Sequence, residues 1–456
     1  MAETRESPHG EWSSGLFFVL AATGSAVGLG NLWRFPYLVG ENGGAAFVIL
    51  YLLCILLIGL PIMVAEITLG RRGKKSPINA LRTVARDEGR SRHWHLLGWL
   101  GVAAGFLILS FYSVVGGWSL YYTAQAVTGS FLGIGSDEAG ALFEGLVASP
   151  WAMLLWHTLF MVLLFGIVSA GVRRGLQRAV TVLMPLLFVL LVLLVGYGMA
   201  ASGAFIDAMA FLFQPDFSAV EGGTVLAALG QAFFTLSLGM GAIMVYGAYL
   251  NRSESIPRSS GWIVGMDTLT ALLAGLAIFP VVFAVGMEPE AGPGLVFVTL
   301  PIVFGEIAFG YLLGVIFFLL LSVAAITSGM SLLEPATSYL TEQGGNRFKA
   351  AGIITVAIWV VGIACGLSLN VWSGFELLPG MNIFDSLEFL STQIMLPLGG
   401  LLMALFVGWK MRITSVAGEL DADRNGPIFR TWYVLVRFVA PALVVLVFLD
   451  AMGLFG

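Results

Sequence analysis

The chain contains 456 residues, of which 58% are hydrophobic and only 11% are charged, and its formal net charge is −5. Soluble domains carry roughly a quarter charged residues, so this composition excludes a soluble globular protein and indicates an integral membrane protein. The two cysteines, Cys54 and Cys365, both lie in apolar segments, so neither a disulfide framework nor a metal site is predicted.

Eleven apolar segments are long enough to cross a bilayer, which takes about 20 residues in a helix. They are numbered spans 1 to 11 and cover residues 13–38, 43–69, 96–127, 150–170, 176–201, 222–250, 259–286, 306–341, 348–368, 383–409 and 430–453. The loops between them are short, so we predict one membrane domain over residues 1–456. The predicted fold is an all-α integral membrane protein with eleven transmembrane helices.

The basic residues define the orientation. All but two of the 22 lysines and arginines fall on the side of the membrane that carries the N-terminal tail, and the exceptions, Arg34 and Arg437, lie within spans. Positively charged loops collect on the cytoplasmic side. We therefore predict a multi-pass protein of the cell inner (plasma) membrane, with residues 1–12 as a cytoplasmic tail and no cleavable signal peptide.

Span 1 contains an unusual polar interruption, the run from Gly24 to Pro36. Its three glycines each cost about 1 kcal/mol relative to alanine in a helix, so the helix is weak where they cluster. Glycines in a membrane helix can also serve close helix packing. Asn31 and Arg34 favour a functional site instead, because polar groups inside a membrane are costly.

Span 6 carries a second interruption, in which Thr235 and Ser237 precede Gly239 and Gly241. The two interrupted spans are five spans apart, which is the pattern of an inverted repeat. We predict a first repeat of spans 1 to 5 over residues 13–201, a second repeat of spans 6 to 10 over residues 222–409, and an additional span 11. Two matching interrupted helices indicate a binding site near the membrane midplane of a secondary transporter.

The runs Gly24 to Gly44 and Gln231 to Gly239 resemble the first-helix and sixth-helix signatures of the neurotransmitter:sodium symporter family, in its bacterial amino-acid transporter branch. The resemblance extends over the whole chain. It implies a LeuT-like fold with discontinuous helices 1 and 6. It also implies a sodium-coupled symporter that carries neutral, mainly hydrophobic L-amino acids by alternating access.

Two sodium sites follow from the resemblance, and oxygen ligands suit this hard cation. The first site, Na1, would use Ala26, Asn31, Thr235 and Asp267. The second site, Na2, would use the backbone oxygens of Gly24, Val27 and Ala324 with the hydroxyls of Thr327 and Ser328. The alternatives are that the two hydroxyls bond to their own helix backbone and that Asp267 is solvated at the cytoplasmic end of span 7.

Asp267 also bears on chloride and protons. Chloride-dependent relatives bind an anion through a small polar residue four positions further on, where this chain has Ala271. A fixed carboxylate could replace that anion, so we expect transport to be independent of chloride. Titration of Asp267 would make proton counter-transport possible.

The resemblance places the substrate beside the two interruptions. Helix N-terminal amides at Leu29 and Gly30 would bind its carboxylate, and Gly28 lacks the acid with which monoamine transporters bind an amine. Met240 stands where the leucine transporter has an aromatic ring, which implies a looser pocket. The implied contacts are Ala26, Gly28, Leu29, Gly30, Ile108, Tyr112, Phe234, Thr235, Ser237, Met240, Ser328, Ser331 and Leu332. Helix packing is the alternative role for the apolar members.

Gates are implied on both sides of this pocket. The outer gate would pair Arg34 with Glu388, with Gln231 and Asp385 nearby; the alternative is a static surface ion pair worth at most about 1 kcal/mol. The inner gate would combine Trp12, Tyr249 and Glu342 with His9, where relatives have arginine. Histidine changes charge near neutral pH, and Arg5 is an alternative basic partner.

Other features have structural interpretations. Gly175 and Pro185 in span 5 fit either a segment that unwinds to admit water or an ordinary proline kink. Glu66 and Glu334 are expected to pair with buried polar groups, and the sequence offers no partner for Arg437.

A receptor or sensor on the same fold, with little transport, is the competing function. The sequence contains no recognisable catalytic motif, so an enzyme is not predicted. The expected partners are an amino acid, sodium and the lipid bilayer; neither a nucleic acid nor an obligate protein partner is expected.

Overall fold

The computed structural model describes residues 6–287 and 294–451, so Arg5 lies outside the described residues. Within this part of the chain the secondary structure is helical, and the only β-type pairing is an isolated bridge. Nine described helices are long and apolar enough to cross a membrane: Ala45–Gly73, Arg92–Val127, Pro150–Ser169, Val172–Ala200, Ile256–Ala284, Gly310–Glu342, Arg347–Leu367, Ile383–Lys410 and Pro427–Leu449. They correspond to spans 2 to 5 and 7 to 11.

Span 1 is discontinuous. Its two helices, Gly15–Ala26 and Gly30–Glu41, meet at an angle of 46°. The first helix ends because Val27 takes an extended conformation, with φ −73° and ψ 100°. The glycine-rich run therefore breaks the helix where the sequence predicted it.

Span 6 is broken more completely, and this changes the count of spans. Its helices, Gly222–Thr235 and Ala242–Ala248, are 14 and 7 residues long, and each is shorter than the roughly 20 residues that a crossing requires. By helix length the described residues therefore give nine continuous spans and one bent pair. The predicted count of eleven is not confirmed, because apolarity continues through residues 236–241 while the helical backbone does not.

The backbone of this break turns into the left-handed region three times. Ser237, Gly239 and Gly241 have φ values of 54°, 78° and 76°. Glycine adopts such angles without steric cost, whereas a non-glycine residue does so rarely. The Glu66 carboxylate accepts a hydrogen bond from the Gly239 amide, 3.2 Å between Oε2 and N. Glu66 thus satisfies part of the broken backbone, in agreement with its predicted structural role.

Short helices that the sequence analysis did not predict occupy the connections. They are Pro77–Asp87, Ser136–Ala148, Phe205–Phe213, Leu295–Glu306 and Ile413–Glu419. Pro77–Asp87 begins with proline in its first turn, where no amide donor is needed. It directly follows span 2 at the predicted cytoplasmic side.

The broken spans lie in the centre of the molecule. Helix Gly15–Ala26 packs on spans 7 and 8, and helix Ala242–Ala248 packs on span 2. Span 2 approaches so closely that a Cβ atom on Gly70 would lie 1.9 Å from the Met244 carbonyl oxygen. The residues of both breaks are therefore buried within protein, and freed backbone groups bond to side chains there, as the Gly239 amide does to Glu66.

Candidate functional site

A buried cavity lies between the two breaks. Its walls are formed by Ser25, Ala26, Gly28, Leu29, Gly30, Ile108, Tyr112, Phe234, Ser237, Met240, Ser328 and Leu332. Its volume is about 20 Å³, which is room for about one water molecule. A ligand of amino-acid size therefore requires the surrounding side chains or helices to move apart.

The cavity includes all of the predicted substrate contacts except Thr235 and Ser331. Thr235 turns its hydroxyl toward Asp267 instead. The Ser331 hydroxyl donates to the Ser328 carbonyl and accepts from the Ser25 hydroxyl, each at 2.7 Å. Both residues therefore lie behind the wall in this arrangement, and their contact with a substrate stays a prediction.

Ser25 lines the cavity and was missed by the sequence analysis. Its carbonyl accepts a hydrogen bond from the Ser237 hydroxyl at 2.8 Å, which joins the two breaks directly. Its position next to Gly24, inside the interrupted run, could have indicated that Ser25 lines the site.

The wall of the cavity has one polar end. Helix Gly30–Glu41 presents its N-terminus there, and the first amides of a helix have no partners within it. The Leu29 amide donates to the Tyr112 hydroxyl across 3.5 Å. An N-terminus with a hydroxyl beside it is suited to bind an anion such as a carboxylate.

A cluster of polar side chains adjoins this end. The Asn31 amide nitrogen donates to the Asp267 carboxylate at 2.8 Å, and the Thr235 hydroxyl donates to the same oxygen at 3.0 Å. Asn31 in turn accepts from the Gly28 amide at 3.0 Å. The structure thus brings three predicted Na1 residues together, while the fourth, Ala26, lines the neighbouring cavity.

Asp267 is fully buried in the middle of span 7, so the alternative of solvation at the cytoplasmic end is wrong. Among the described residues no basic side chain pairs with it. An ionised carboxylate without a cation is costly in such surroundings. The site therefore favours a bound cation or a proton.

A second group of oxygens lies at the other end of the break in span 1. The Ser328 hydroxyl is 3.4 Å from the carbonyl oxygens of both Gly24 and Val27. The Thr327 hydroxyl donates to the Ala324 carbonyl at 3.0 Å. All five predicted Na2 residues therefore meet here, and their donor set consists of oxygen atoms, as a hard cation requires.

The alternative interpretation of the hydroxyl pair holds for one of its members. Thr327 bonds to its own helix backbone, whereas Ser328 reaches across to span 1. Ser328 therefore connects span 8 to the broken span 1, as does Ser331 through the Ser25 hydroxyl.

On the side of the cavity that is predicted to face outward, Arg34 is buried and connects three elements. Its Nε lies 3.6 Å from the Glu388 carboxylate, and its Nη1 lies 3.5 Å from the Gln231 side-chain oxygen. The guanidinium also lies over the Phe234 ring, 5.2 Å from its centroid. Gln231 extends the connection by donating to the Gly30 carbonyl at 2.7 Å.

Asp385, which was predicted to lie near this pair, forms its hydrogen bonds with Asn382. Its amide donates to the Asn382 side-chain oxygen at 3.0 Å, and its carboxylate accepts from the Asn382 side chain at 2.7 Å. Asp385 therefore stabilises the N-terminus of span 10, because Asn382 is the N-cap residue of that helix.

On the side that is predicted to face the cytoplasm, Glu342 binds the N-terminal tail and the segment after span 2. His9 Nε2 lies 2.9 Å from one carboxylate oxygen of Glu342. The Ser76 amide and hydroxyl and the Asn79 side chain each donate to Glu342 at 2.6 Å. The histidine thus contacts the predicted partner, and Ser76 and Asn79 are additional members that the sequence analysis missed.

Trp12 and Tyr249 close the same side. Trp12 is buried; its amide donates to the Tyr249 carbonyl at 3.0 Å and its indole donates to the Tyr246 carbonyl at 3.1 Å. The Tyr249 hydroxyl donates to Glu334 at 2.6 Å, and Arg347 forms a bidentate ion pair with the same carboxylate. Glu334 is therefore paired, as expected.

The tail is fixed at one further point that the sequence analysis did not identify. Lys74 is 1% exposed, pairs with Glu11, and donates to the Leu250 carbonyl at 2.7 Å. Lys74 lies in the polar turn after span 2, and this position could have indicated a contact with the N-terminal tail.

Span 5 remains helical across its Gly–Pro segment. Helix Val172–Ala200 includes both Gly175 and Pro185, and Gly175 falls in a π-helical turn. In this arrangement the segment is therefore helical and not unwound.

The amino-acid sequence is similar to those of known proteins. The sequence profile of the Sodium:neurotransmitter symporter family matches residues 9–132 and 145–455. The "Uncharacterized sodium-dependent transporter YhdH" of Bacillus subtilis (strain 168) is 40% identical over 447 residues, which cover 97% of this chain and 98% of that protein.

A solved structure and a more distant relative are also similar to this chain. The crystal structure of MhsT in complex with L-phenylalanine superimposes with a TM-score of 0.91 at 44% identity, covering 98% of this chain and 100% of that chain. The "Sodium-dependent nutrient amino acid transporter 1" of Drosophila grimshawi is 23% identical over 513 residues, covering 97% of this chain and 76% of that protein.

Proposed function

The chain belongs to the Sodium:neurotransmitter symporter family, and from this membership and its buried site we propose that it takes up a neutral, mainly hydrophobic L-amino acid together with sodium. The family consists of sodium-coupled transporters and not of enzymes. The observation that carries the proposal is the meeting of both helix breaks at one cavity, with oxygen clusters on two sides of it.

The chemistry of the cavity supports an amino acid as substrate. The helix N-terminus at Gly30 suits a carboxylate, and Gly28 supplies no acid for a lone amine. Ile108, Met240 and Leu332 form an apolar wall, which suits a hydrophobic side chain. MhsT is similar over nearly the whole chain and binds L-phenylalanine in its crystal structure; an aromatic amino acid is therefore the first candidate here.

The two oxygen clusters support two sodium sites. At Na1 the buried Asp267 carboxylate, with Asn31 and Thr235 around it, favours a cation. At Na2 the oxygens of Gly24, Val27 and Ser328 would exchange their present contacts for metal coordination. A substrate carboxylate next to Na1 would couple amino-acid binding to sodium binding, because each would improve the site for the other.

Chloride independence follows from the same carboxylate. Span 7 supplies Asp267 itself, and Ala271 offers no polar side chain to an anion. Uptake should therefore continue when gluconate replaces chloride at constant sodium concentration. Uptake that collapses under this exchange would show that the Asp267 charge does not replace chloride.

We further propose alternating access in the inner membrane, with the N-terminal tail in the cytoplasm. The Arg34–Glu388 pair lies on one side of the small cavity and the His9–Glu342 contact on the other. Opening one contact while the other stays closed would expose the cavity to one side at a time. The distribution of basic loops supports this orientation.

Uptake by the purified full-length protein in liposomes tests the function. Radiolabelled L-phenylalanine should accumulate with an inward sodium gradient and not with an equal potassium gradient. Ser328→Ala should reduce the sodium dependence, because it removes a hydroxyl that faces Gly24 and Val27. Ser338→Ala is the matched control, since Ser338 is buried in the same span and bonds only to its own helix.

A thermal-shift screen of the twenty amino acids in sodium and in potassium identifies the substrate, because ligand binding raises the melting temperature. Stabilisation that depends on sodium, together with uptake, supports a symporter. Sodium-dependent stabilisation without uptake of the same amino acid would indicate a receptor. If no amino acid stabilises the protein in either cation, the proposed substrate class is wrong.

A further inference from the structure

Arg437 lies inside span 11 and is held by aromatic rings. Its guanidinium carbon is 4.4 Å from the centroid of Trp409, 5.3 Å from that of Phe438 and 5.7 Å from that of Tyr433. A cation over aromatic faces gains electrostatic energy, most of all over tryptophan. The side chain is therefore fixed in position rather than free to sample many directions.

The charge of Arg437 is nevertheless not balanced by the protein. Among the described residues no carboxylate forms an ion pair with it, and its Nε is buried without a hydrogen-bond partner. Ionisable residues within spans normally pair or mark a functional site. An anion from outside the chain would supply the missing partner.

The surroundings of Arg437 face lipid. Trp409, Val434 and Phe438 are 48%, 50% and 49% exposed, and they lie on spans 10 and 11. On transmembrane helices, exposed apolar side chains of this size contact the hydrocarbon of the bilayer. A free anion in water would therefore not be the natural partner here.

Arg437 lies beside the last residues of span 10. The Trp409 indole donates to the Arg437 carbonyl at 2.8 Å, which fixes the two residues at one level. Lys410 follows as the last residue of span 10, and its carbonyl accepts from the Arg90 side chain at 2.6 Å. Tryptophan and basic residues mark the interface, and basic loops mark its cytoplasmic side.

We propose that Arg437 and Lys410 bind the phosphate of an anionic phospholipid in the cytoplasmic leaflet, with the Trp409 ring holding the guanidinium in place. Arginine binds phosphate oxygens with two parallel hydrogen bonds, and Lys410 is exposed beside it. Basic sites between transmembrane helices on the cytoplasmic side select anionic headgroups. This proposal is independent of the transported substrate.

The arrangement depends on close contact between spans 10 and 11. A Cβ atom on Gly408 would lie 2.9 Å from the Arg437 Cα, so only glycine lets the two backbones approach this closely. The Tyr433 hydroxyl donates to the Gly408 carbonyl at 3.0 Å and holds the same contact. The site is therefore formed by packing of the two helices and not by a flexible loop.

Native mass spectrometry of the purified full-length protein tests the proposal. Phosphatidylglycerol and phosphatidylcholine with identical acyl chains are added separately to detergent-solubilised protein, and the fraction carrying one bound lipid is measured. We expect retention of phosphatidylglycerol to exceed that of phosphatidylcholine. One surface cation contributes about fivefold to such binding, so Arg437→Gln should lower phosphatidylglycerol retention about fivefold and leave phosphatidylcholine unchanged.

Arg430→Gln is the matched control, because Arg430 is exposed on the same span and its side chain donates a hydrogen bond to Asn425. It should retain phosphatidylglycerol like the wild type. Inorganic phosphate added in excess separates the two phosphate sources, since a lipid site keeps its phosphatidylglycerol in its presence. Equal retention of both lipids by the wild-type protein overturns the proposal without any variant, as does unchanged retention in Arg437→Gln.

Discussion

Replacing Gly28 by alanine would test the link between the cavity and the Na2 residues. An added Cβ atom would lie 2.2 Å from the Ser328 hydroxyl oxygen, 2.9 Å from the Ser328 Cβ and 3.2 Å from the Tyr112 hydroxyl oxygen. The backbone of Gly28 is not in the left-handed region, so alanine is compatible with its conformation. The effect of the substitution is therefore a local collision and not backbone strain.

The collision falls on a side chain that holds the Na2 residues together. The Ser328 hydroxyl must turn away or span 8 must shift, and either change removes it from the Gly24 and Val27 carbonyl oxygens. Overpacking of this kind costs about 1–3 kcal/mol. If the cost falls on the sodium-bound state, sodium affinity should decrease by roughly 5- to 150-fold, at about 1.4 kcal/mol for each factor of ten.

The sodium concentration that gives half of the maximal thermal stabilisation measures this effect. Gly265→Ala is the matched control, because Gly265 lies in span 7, two residues from Asp267, and an added Cβ atom there meets no atom within 4 Å. The control should keep the wild-type value. A Gly28→Ala protein that folds and also keeps the wild-type value within twofold would refute the assignment of Ser328 to a sodium site.

Three further substitutions test the framework of the site by thermal melting. Glu334→Gln removes the fully buried partner of Arg347 and should destabilise the protein by about 3–5 kcal/mol, because a buried charge is left unpaired; a loss below about 1 kcal/mol would contradict this. Gly239→Ala should lower the free energy of unfolding by about 1–3 kcal/mol, since φ is 78° and the new Cβ would lie 2.4 Å from the Leu396 carbonyl oxygen. An unchanged melting temperature would contradict this, because it would mean that the backbone of span 6 accommodates the added Cβ atom. Burial alone would raise the pKa of Glu88, but hydrogen bonds from Arg412 and the charge of Arg72 lower it below the ordinary value. Glu88 therefore stabilises the fold above the ordinary glutamate pKa, and this stabilisation is lost as the pH falls through the lowered pKa; Glu88→Gln should flatten the acid limb of the stability profile, and an identical acid limb would show that Glu88 does not contribute.

Local sequence was sufficient to locate the elements of the site. The glycines of span 1 and the Ser–Gly segment of span 6 predict helix breaks, because helix propensity is a property of neighbouring residues. The pocket residues Ile108 and Leu332 required the family resemblance, since an apolar residue in a membrane helix has no distinctive local pattern. Arg34 and Glu388 were matched because charges within spans are few.

Two contacts between distant residues were missed. The hydrogen bond from Ser237 to Ser25 and the pair of Lys74 with Glu11 each join segments far apart in the chain. The exclusion of Thr235 and Ser331 from the cavity wall depends on the rotation of their helices. Local pattern does not fix that rotation in a helix that is apolar on all sides.

The amino-acid sequence by itself determined the membrane class, the positions of the spans and the two places where helices break, because hydropathy and glycine content act over neighbouring residues. Only the tertiary structure decided which oxygens meet at each cluster, how small the closed cavity is, and that the charge of Arg437 lies on aromatic rings at the lipid surface. Those features depend on distances between helices of a few ångströms, and such distances are set by packing of the whole bundle.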